Sequence, residues 1–243
     1  MLELLINDDA AVRVLTMNRP DKRNALNLSL SEALYDALRD ADAAAAVRAI
    51  VLTGAGPAFC AGADLSEFAA LSTANEALIA RRADITAKLH GVFSQLTKPV
   101  VTAINGAAMG GGAGLELAGD IAIMAVTAKL GYPEVKHGIV ASVVMTNLVR
   151  QAGRKAAFEL VSTGEPIDAA RALTLGLVNR VVAPEGLMGE AMQTAQKLAA
   201  VAPQAMAATK TLFYRVAELP FDAALEAGRD MNRRMRAFTK DKP

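Results

Sequence analysis

The chain has 243 residues, 53% of them hydrophobic, and its 26 lysine and arginine residues nearly balance 25 aspartate and glutamate residues. This length suits one large domain, with or without a small appendage. A formal net charge of +1 provides no bulk field that would attract nucleic acid or an anionic membrane. The single cysteine, Cys60, excludes an intramolecular disulfide and is compatible with a reducing compartment.

The N-terminal segment argues against export and membrane insertion. Residues 1–12 carry acidic side chains where a secretory signal would carry basic ones. No apolar run reaches the ~18 residues expected of a membrane span. We therefore expect a cytoplasmic protein that does not contact a membrane.

Strand and helix periodicities alternate along the first 185 residues, which is typical of an α/β protein. The strands are so apolar that helices should cover both faces of their sheet. In chain order we predict a strand at 11–18, a helix at 29–44 capped by Ser29, a strand at 49–54, a helix at 75–96, and strands at 100–104 and 121–126.

The C-terminal part reads differently, because no strand pattern follows Glu185. Three helical stretches are separated at Pro203 and Pro220. We predict an α/β core over residues 1–185 and a helical unit over 186–243.

Two loops rich in glycine and alanine each connect a buried strand to a helix, at 53–65 and 105–114. Unpaired N–H groups at a helix start favour negative charge. If the two loops face each other, a pair of N–H groups can hold a carbonyl oxygen and stabilise it as an enolate. Two alternatives remain. The glycine spacing suits a dinucleotide site, although no acidic residue closes the next strand, and glycines also allow a helix to pack closely on a sheet.

Five ordered motifs resemble the crotonase superfamily of enoyl-CoA hydratases and isomerases. They are NRPDKRNAL (18–26), AFCAGADL (58–65), KPVVTAINGAAMGGGAG (98–114), LGYPEVKHGI (130–139) and STGEPIDAARALTLGLVNRVV (162–182). The resemblance implies a spiral of ββα units with C-terminal helices that assemble a homotrimer or hexamer. It also implies an acyl-CoA thioester as substrate, with coenzyme A as part of that substrate and no separate cofactor.

The same resemblance implies the residues of the site. Glu134 would be the acid/base, and the backbone N–H groups of Ala61 and Gly111 would hold the thioester oxygen. The substrate-binding residues implied are Arg23, Ala25, Ala61, Gly62, Ala63, Asp64, Leu65, Gly110, Gly111, Gly114, Tyr132 and Ser142.

The chain departs from the hydratases of this family at one position, because Gly114 stands where they carry a second glutamate. Glu116 lies two residues further on, about 200° around a helix, so we expect it to be a paired or half-exposed helix residue that points elsewhere. A single carboxylate is enough for double-bond isomerisation, since one base can remove the α-proton and return it at the γ-carbon. We therefore place isomerisation slightly ahead of hydration. Apolar neighbours should raise the pKa of Glu134.

Other readings stay open at this stage. These motifs also fit hydration, with Glu134 alone or with Glu116. They fit other enolate reactions, such as decarboxylation or thioester hydrolysis, and a silent homologue that binds CoA esters or RNA. The only histidines, His90 and His137, are too few for a metal cluster, and His137 either lines the pocket or has a surface or core role. Two roles are possible for five basic residues, contact with the phosphates of coenzyme A or a position on the solvated surface: Lys22, Arg23, Arg233, Arg234 and Lys240. Two roles are likewise possible for five apolar residues, lining the tunnel for the acyl chain or packing in the core: Leu65, Phe68, Ala69, Leu89 and Phe93.

Overall fold

The computed structural model describes residues 2–70 and 75–238, except the side chains of 68–70 and 237–238. Lys240 and the side chains of Phe68 and Ala69, all named above, lie outside this part. The strands are β1 (Leu4–Asp9), β2 (Val12–Met17), β3 (Ala49–Gly54), β4 (Ala58–Cys60), β5 (Val100–Ile104), β6 (Ala107–Met109), β7 (Ile121–Ala125), β8 (Lys129–Gly131), β9 (Ile167–Asp168) and β10 (Arg180–Val182). The α-helices are α1 (Leu28–Ala43), α2 (Leu65–Ala70), α3 (Glu76–Val92), α4 (Gly111–Ala118), α5 (Met145–Thr163), α6 (Ala169–Thr174), α7 (Leu187–Ala199), α8 (Pro203–Ala217) and α9 (Phe221–Phe238).

The strands form two sheets. The larger one has the order β1-β2-β3-β5-β7-β10, and only its β1–β2 pair is antiparallel. The smaller one has the order β4-β6-β8-β9, with β8 and β9 antiparallel. Every residue of β3 and β5 is buried. This agrees with the expectation that parallel, wholly apolar strands lie between layers of helix.

A strand–strand–helix unit recurs along the chain. β3 of the larger sheet leads to β4 of the smaller sheet and then to α2, and β5 leads in the same way to β6 and α4. Because β4 and β6 are parallel neighbours, the two loops that follow them leave the small sheet side by side. This architecture confirms the predicted α/β class and ββα units, and it places the two glycine-rich loops together.

The residue that caps the start of α1 differs from the prediction. Asn27, not Ser29, is the N-cap, and its side chain accepts a hydrogen bond from the Leu30 N–H at 2.8 Å. Asparagine is at least as good a cap as serine. The short strands β4, β6 and β8 have three residues each, too few to give a periodicity that a sequence pattern can reveal.

The three predicted C-terminal helices are present as α7, α8 and α9. α7 packs on β3 and β5, and its Leu187, Ala191 and Ala195 belong to the main hydrophobic core. The division near residue 185 stays a prediction, and α7 lies on the core side by its packing. Within the described ranges, no helix has the length and apolar character to cross a bilayer.

Candidate active site

The first glycine-rich loop, after β4, has one backbone donor without a partner. The Ala61 N–H donates to the Arg23 carbonyl at 2.9 Å, the Leu26 N–H donates to the Gly62 carbonyl, and the Asp64 N–H donates to the Leu26 carbonyl. Ala63 pairs with Leu26 as an isolated parallel bridge, a geometry that leaves its own N–H outside the ladder. The Ala63 N–H therefore has no acceptor among the described residues.

The second loop starts α4 directly beside the first. Gly110 has φ +50°, and Gly111 is the first residue of the helix, so the Gly111 N–H has no intrahelical acceptor. Gly62, with φ +88°, lies so close that a β-carbon on it would be 2.6 Å from the Met109 carbonyl oxygen and 3.3 Å from Gly111 N. Ala63 N is 3.9 Å from the point that a β-carbon on Gly111 would occupy. The two loops face each other, as predicted, and their open donors are neighbours.

One predicted donor is wrong. Ala61 cannot offer its N–H to a ligand because the Arg23 carbonyl already accepts it. Ala63, two residues on, has the open N–H beside Gly111. The sequence placed a donor in the correct loop and missed which amide the Arg23 turn engages.

Glu134 lies against the start of α4. It belongs to a 3₁₀ turn, Pro133–His137, and its Oε1 is 2.8 Å from the position of a β-carbon on Gly110. Its Oε2 is buried without a hydrogen-bond partner. Burial raises the pKa of the Glu134 carboxyl group, against smaller opposing effects of a backbone hydrogen bond and of His137. A carboxyl group of this kind is poised to take up and release a proton.

A small cavity of about 40 Å³ opens between the loops and the helices α1 and α3. Both open donors line it, through Ala63 and Gly111. The remaining lining residues are Leu26, Ser31, Arg82, Thr86, Leu89 and His90.

The space beside Gly114 is already occupied. A β-carbon on Gly114 would lie 2.4 Å from Val144 Cγ1 and 2.8 Å from His90 Nε2. No carboxylate can enter there without displacing these side chains. Glu134 is therefore the carboxyl group packed against the second loop, and the His90 imidazole and Val144 fill the space beside Gly114.

Glu116 is fully buried, contrary to our expectation of a paired or half-exposed residue. It is 1% exposed, and neither carboxyl oxygen has a partner among the described residues. Burial raises its pKa well above the ordinary value, which favours the protonated form. Glu116 lines a separate cavity of about 640 Å³, not the small one, and this agrees with the prediction that it points away from the donors. Tyr132 is also buried, its hydroxyl has no partner among the described residues, and burial is the main cause that raises its pKa.

The other predicted binding residues divide into loop-shaping and peripheral ones. Asp64 Oδ1 accepts a hydrogen bond from the Ser66 N–H, so Asp64 caps the start of α2. Asp64 Oδ2 is 2.9 Å from Arg19 Nη2. Although burial acts in the opposite direction, these bonds lower the pKa of Asp64. Ala25 is buried. The exposed members are Arg23, Leu65, Ser142 and His137. Leu89 and Phe93 are buried in the hydrophobic core, and they also border the small and the large cavity, respectively. The described part of the chain has no metal-binding group of three or more His, Cys, Asp or Glu side chains.

Sequence reasoning missed a polar face of α3. Arg82, Thr86 and His90 recur at every fourth position, which places them on one side of a helix. Arg82 is buried, donates to the Leu26 carbonyl, and has Nη1 2.9 Å from Glu67 Oε2 without hydrogen-bond geometry. The repeat is visible in the sequence, but only the tertiary packing brings it to the cavity.

Comparison with known proteins identifies the family. A family model described as enoyl-CoA hydratase/isomerase matches residues 7–242. The chain belongs to the enoyl-CoA hydratase/isomerase family.

Members of the enoyl-CoA hydratase/isomerase family resemble the chain over nearly its whole length. A putative enoyl-CoA hydratase of Thermus thermophilus is 39% identical over 96% of both chains. The 2,3-dehydroadipyl-CoA hydratase of Escherichia coli K12 is 34% identical over 95% of this chain and 89% of its own. The crystal structure of an enoyl-CoA hydratase from Mycobacterium smegmatis has a TM-score of 0.93 and 33% identity, covering 99% of this chain and 92% of that one.

In this member of the enoyl-CoA hydratase/isomerase family, we predict that Gly62 tolerates no side chain. Gly62→Ala should lose about 1–3 kcal/mol more free energy of unfolding than Gly138→Ala, because the new methyl group meets the Met109 carbonyl. Gly138 is the matched control, since it has φ +69° and no neighbour within 4 Å, so its alanine variant reports backbone strain alone. Denaturant unfolding measures both variants. Equal losses would contradict the close contact of the two loops.

We also predict that Glu116 makes stability fall as pH rises. The folded protein keeps this carboxyl group protonated, whereas the unfolded chain ionises it above the ordinary pKa of 4.5. Stability should therefore decline, by about 1.4 kcal/mol per pH unit from this group, between pH 4.5 and its raised folded pKa. Glu116→Gln should remove that slope in urea unfolding measured across pH, with the exposed Glu159→Gln variant as reference. An unchanged slope in E116Q would show that Glu116 is charged in the fold.

Proposed function

We propose that the chain binds the thioester oxygen of an acyl-CoA through the N–H groups of Ala63 and Gly111, and that Glu134 moves the proton on the adjoining carbon. The observation that carries the proposal is the position of Glu134. Its carboxyl group packs on Gly110, the residue before the Gly111 donor. A thioester oxygen at the donors would therefore bring its α-carbon close to this carboxyl group.

Each part has a separate physical role. Two preorganised N–H donors stabilise the negative charge that develops on oxygen when the α-carbon loses a proton. The raised pKa of Glu134, caused mainly by burial, brings the proton affinity of its carboxylate closer to that of the enolate intermediate. The carboxylate takes a proton from one carbon and returns it to another, so its own charge is restored in each turnover.

Double-bond isomerisation from 3-enoyl to 2-enoyl-CoA is the reaction that this geometry favours. It requires one base that reaches the α-carbon and the γ-carbon, and one carboxyl group faces the donors. The space beside Gly114, where a second carboxylate would orient water, is filled by His90 and Val144.

Hydration of a 2-enoyl-CoA is the second candidate. The relatives from Thermus thermophilus and Escherichia coli carry hydratase names, and these names support hydration here. With one carboxylate, Glu134 would take a proton from water while the hydroxide attacks the β-carbon, and would then protonate the α-carbon.

The decisive test is Glu134→Gln, which preserves shape and removes the acid/base. We expect turnover of enoyl-CoA to fall by about 10²-fold or more, while acyl-CoA binding by calorimetry stays within a few-fold of the wild type. Glu116→Gln is the matched control and should keep its turnover, because Glu116 faces the other cavity. A wild type without turnover of any enoyl-CoA would indicate a silent binder, and an inactive E116Q would indicate a hydratase that recruits Glu116.

Labelled water separates the two reactions. In H₂¹⁸O, isomerisation interconverts 3-enoyl and 2-enoyl thioesters without ¹⁸O in the product, whereas hydration places ¹⁸O on the β-carbon. The products from the 3-enoyl and the 2-enoyl thioester are detected by mass. If ¹⁸O-labelled 3-hydroxyacyl-CoA is the sole product, the isomerase proposal is wrong.

We further propose that α8 and α9 assemble the chain into a homotrimer or hexamer. Large apolar side chains on these helices are exposed in the single chain, at 65% for Phe213, 76% for Phe221 and 58% for Leu225. Exposed apolar groups of this size are typical of an interface. Analytical ultracentrifugation should give a particle of three or six chains, and a monomer at micromolar concentration would refute the assembly.

A further inference from the structure

His90 is a buried imidazole that the proposed reaction does not use. It lies in the last turn of α3 and is 7% exposed. Its Nδ1 is 2.8 Å from the Thr86 carbonyl oxygen, and its Nε2 is 3.0 Å from the Gly111 carbonyl oxygen. One of its partners is therefore the residue whose N–H is an open donor of the site.

Both contacts of His90 require the ring to donate. A neutral imidazole has a single N–H, so either neutral tautomer leaves one nitrogen lone pair facing a carbonyl oxygen. Only the imidazolium satisfies both carbonyls. In the unliganded protein, burial lowers the pKa of His90 and outweighs the two carbonyl contacts. Burial therefore favours the neutral ring, which leaves one of the two contacts unsatisfied.

The position of His90 joins the two cavities. It lines the small cavity together with Ala63 and Gly111, and it also lines the larger cavity with Glu116. The larger cavity extends to the exposed residue Arg150, so the ring lies between the donors and a route towards solvent.

The charged groups around His90 are otherwise engaged. Arg82 pairs with Glu67, Arg150 with Glu218, and Asp120 with Lys210 and Tyr214. Burial raises the pKa of Glu116, on α4, and so favours its neutral form. Among the described groups that line either cavity, the imidazole is the one that can gain a positive charge in response to an anion. The titratable and charged groups considered are Arg82, Glu116, Asp120, Arg150, Tyr214 and Glu218.

We propose that His90 is a further electrostatic residue of this site, which takes up one proton from solvent as negative charge develops on the thioester oxygen held by Ala63 and Gly111. The proton returns to solvent when the charge is lost, and no bond forms between His90 and the substrate. The imidazolium would donate to the Thr86 and Gly111 carbonyls together, holding the first residue of α4 while offsetting the enolate charge. This inference rests on the proposed function and adds a second proton-binding group to it.

NMR of the protein labelled with ¹⁵N-histidine tests the charge directly. The chain has two histidines, so a His137→Gln sample assigns the His90 signals. The probe is 3-oxobutanoyl-CoA, whose acidic α-proton allows an enolate to form without turnover; the ultraviolet absorbance of the enolate shows when that form is bound, and butanoyl-CoA is the uncharged control. We expect the His90 nitrogens to change from a neutral to an imidazolium pattern with the first ligand only. A neutral pattern with the enolate bound would overturn the proposal.

Kinetics separate charge from simple support of α4. His90→Gln keeps a donor amide but cannot become charged, and His90→Phe removes donor and charge. We expect kcat to fall by about tenfold or more in both, with KM within about threefold of the wild type. Lys88→Gln, which removes an exposed charge from the same helix, should leave kcat unchanged. A wild-type kcat in H90Q would show that His90 has a structural role only and would overturn the proposal. If H90F does not fold, the kinetics of H90Q and the NMR result still decide the question.

The outcomes also distinguish this inference from the proposed function. Because the NMR test detects bound enolate and not turnover, it can be made with the wild type even if no enoyl-CoA is converted. Absence of enoyl-CoA turnover in the wild type would end the isomerase and hydratase proposals, whereas a neutral His90 beside bound enolate would end only the present one.

Discussion

The contact between two glycine-rich loops constrains the rest of this structure. Gly62 lies against the Met109 carbonyl and Gly111 N at distances where a β-carbon would overlap. The parallel pairing of β4 with β6 enforces this approach, because both loops leave the same sheet as neighbours. The contact leaves two backbone donors, on Ala63 and Gly111, without acceptors in the described part of the chain. An enzyme that stabilises an anion with peptide groups needs this kind of rigid support, since donors that move would lose their advantage over water.

Burial of ionisable groups around α4 sets the electrostatics. Glu116, Tyr132 and Glu134 each have a buried oxygen without a partner, and burial shifts the pKa of each towards its neutral form. Such groups cost free energy. In the proposed reaction, the raised proton affinity of Glu134 has a chemical use. Glu116 is buried as well, but it lines the other cavity, so the proposed reaction does not use it.

The sequence predicted the long elements and the two loops because their signals are local. The apolar strands β3 and β5 and the capped helix α1 follow from periodicity, and strand-to-helix junctions rich in glycine indicate an anion site. The three-residue strands β4, β6 and β8 gave no such signal. The donor was placed at Ala61 instead of Ala63 because hydrogen bonding of a loop N–H depends on a distant segment, here the turn at Arg23. His90 and Arg82 were missed for a related reason, since their polar spacing on α3 does not say which cavity the helix lines.

The amino-acid sequence by itself determined the α/β class, the family resemblance, and the single carboxylate in the motif that contains Glu134, because residue identities and periodicities require no knowledge of distant contacts. Tertiary structure alone decided which amides are open, that Glu116 is buried with a raised pKa, and that His90 and Val144 occupy the space beside Gly114. These facts depend on contacts between residues far apart in the chain, and burial and hydrogen-bond partnership are properties of packing that no local pattern contains.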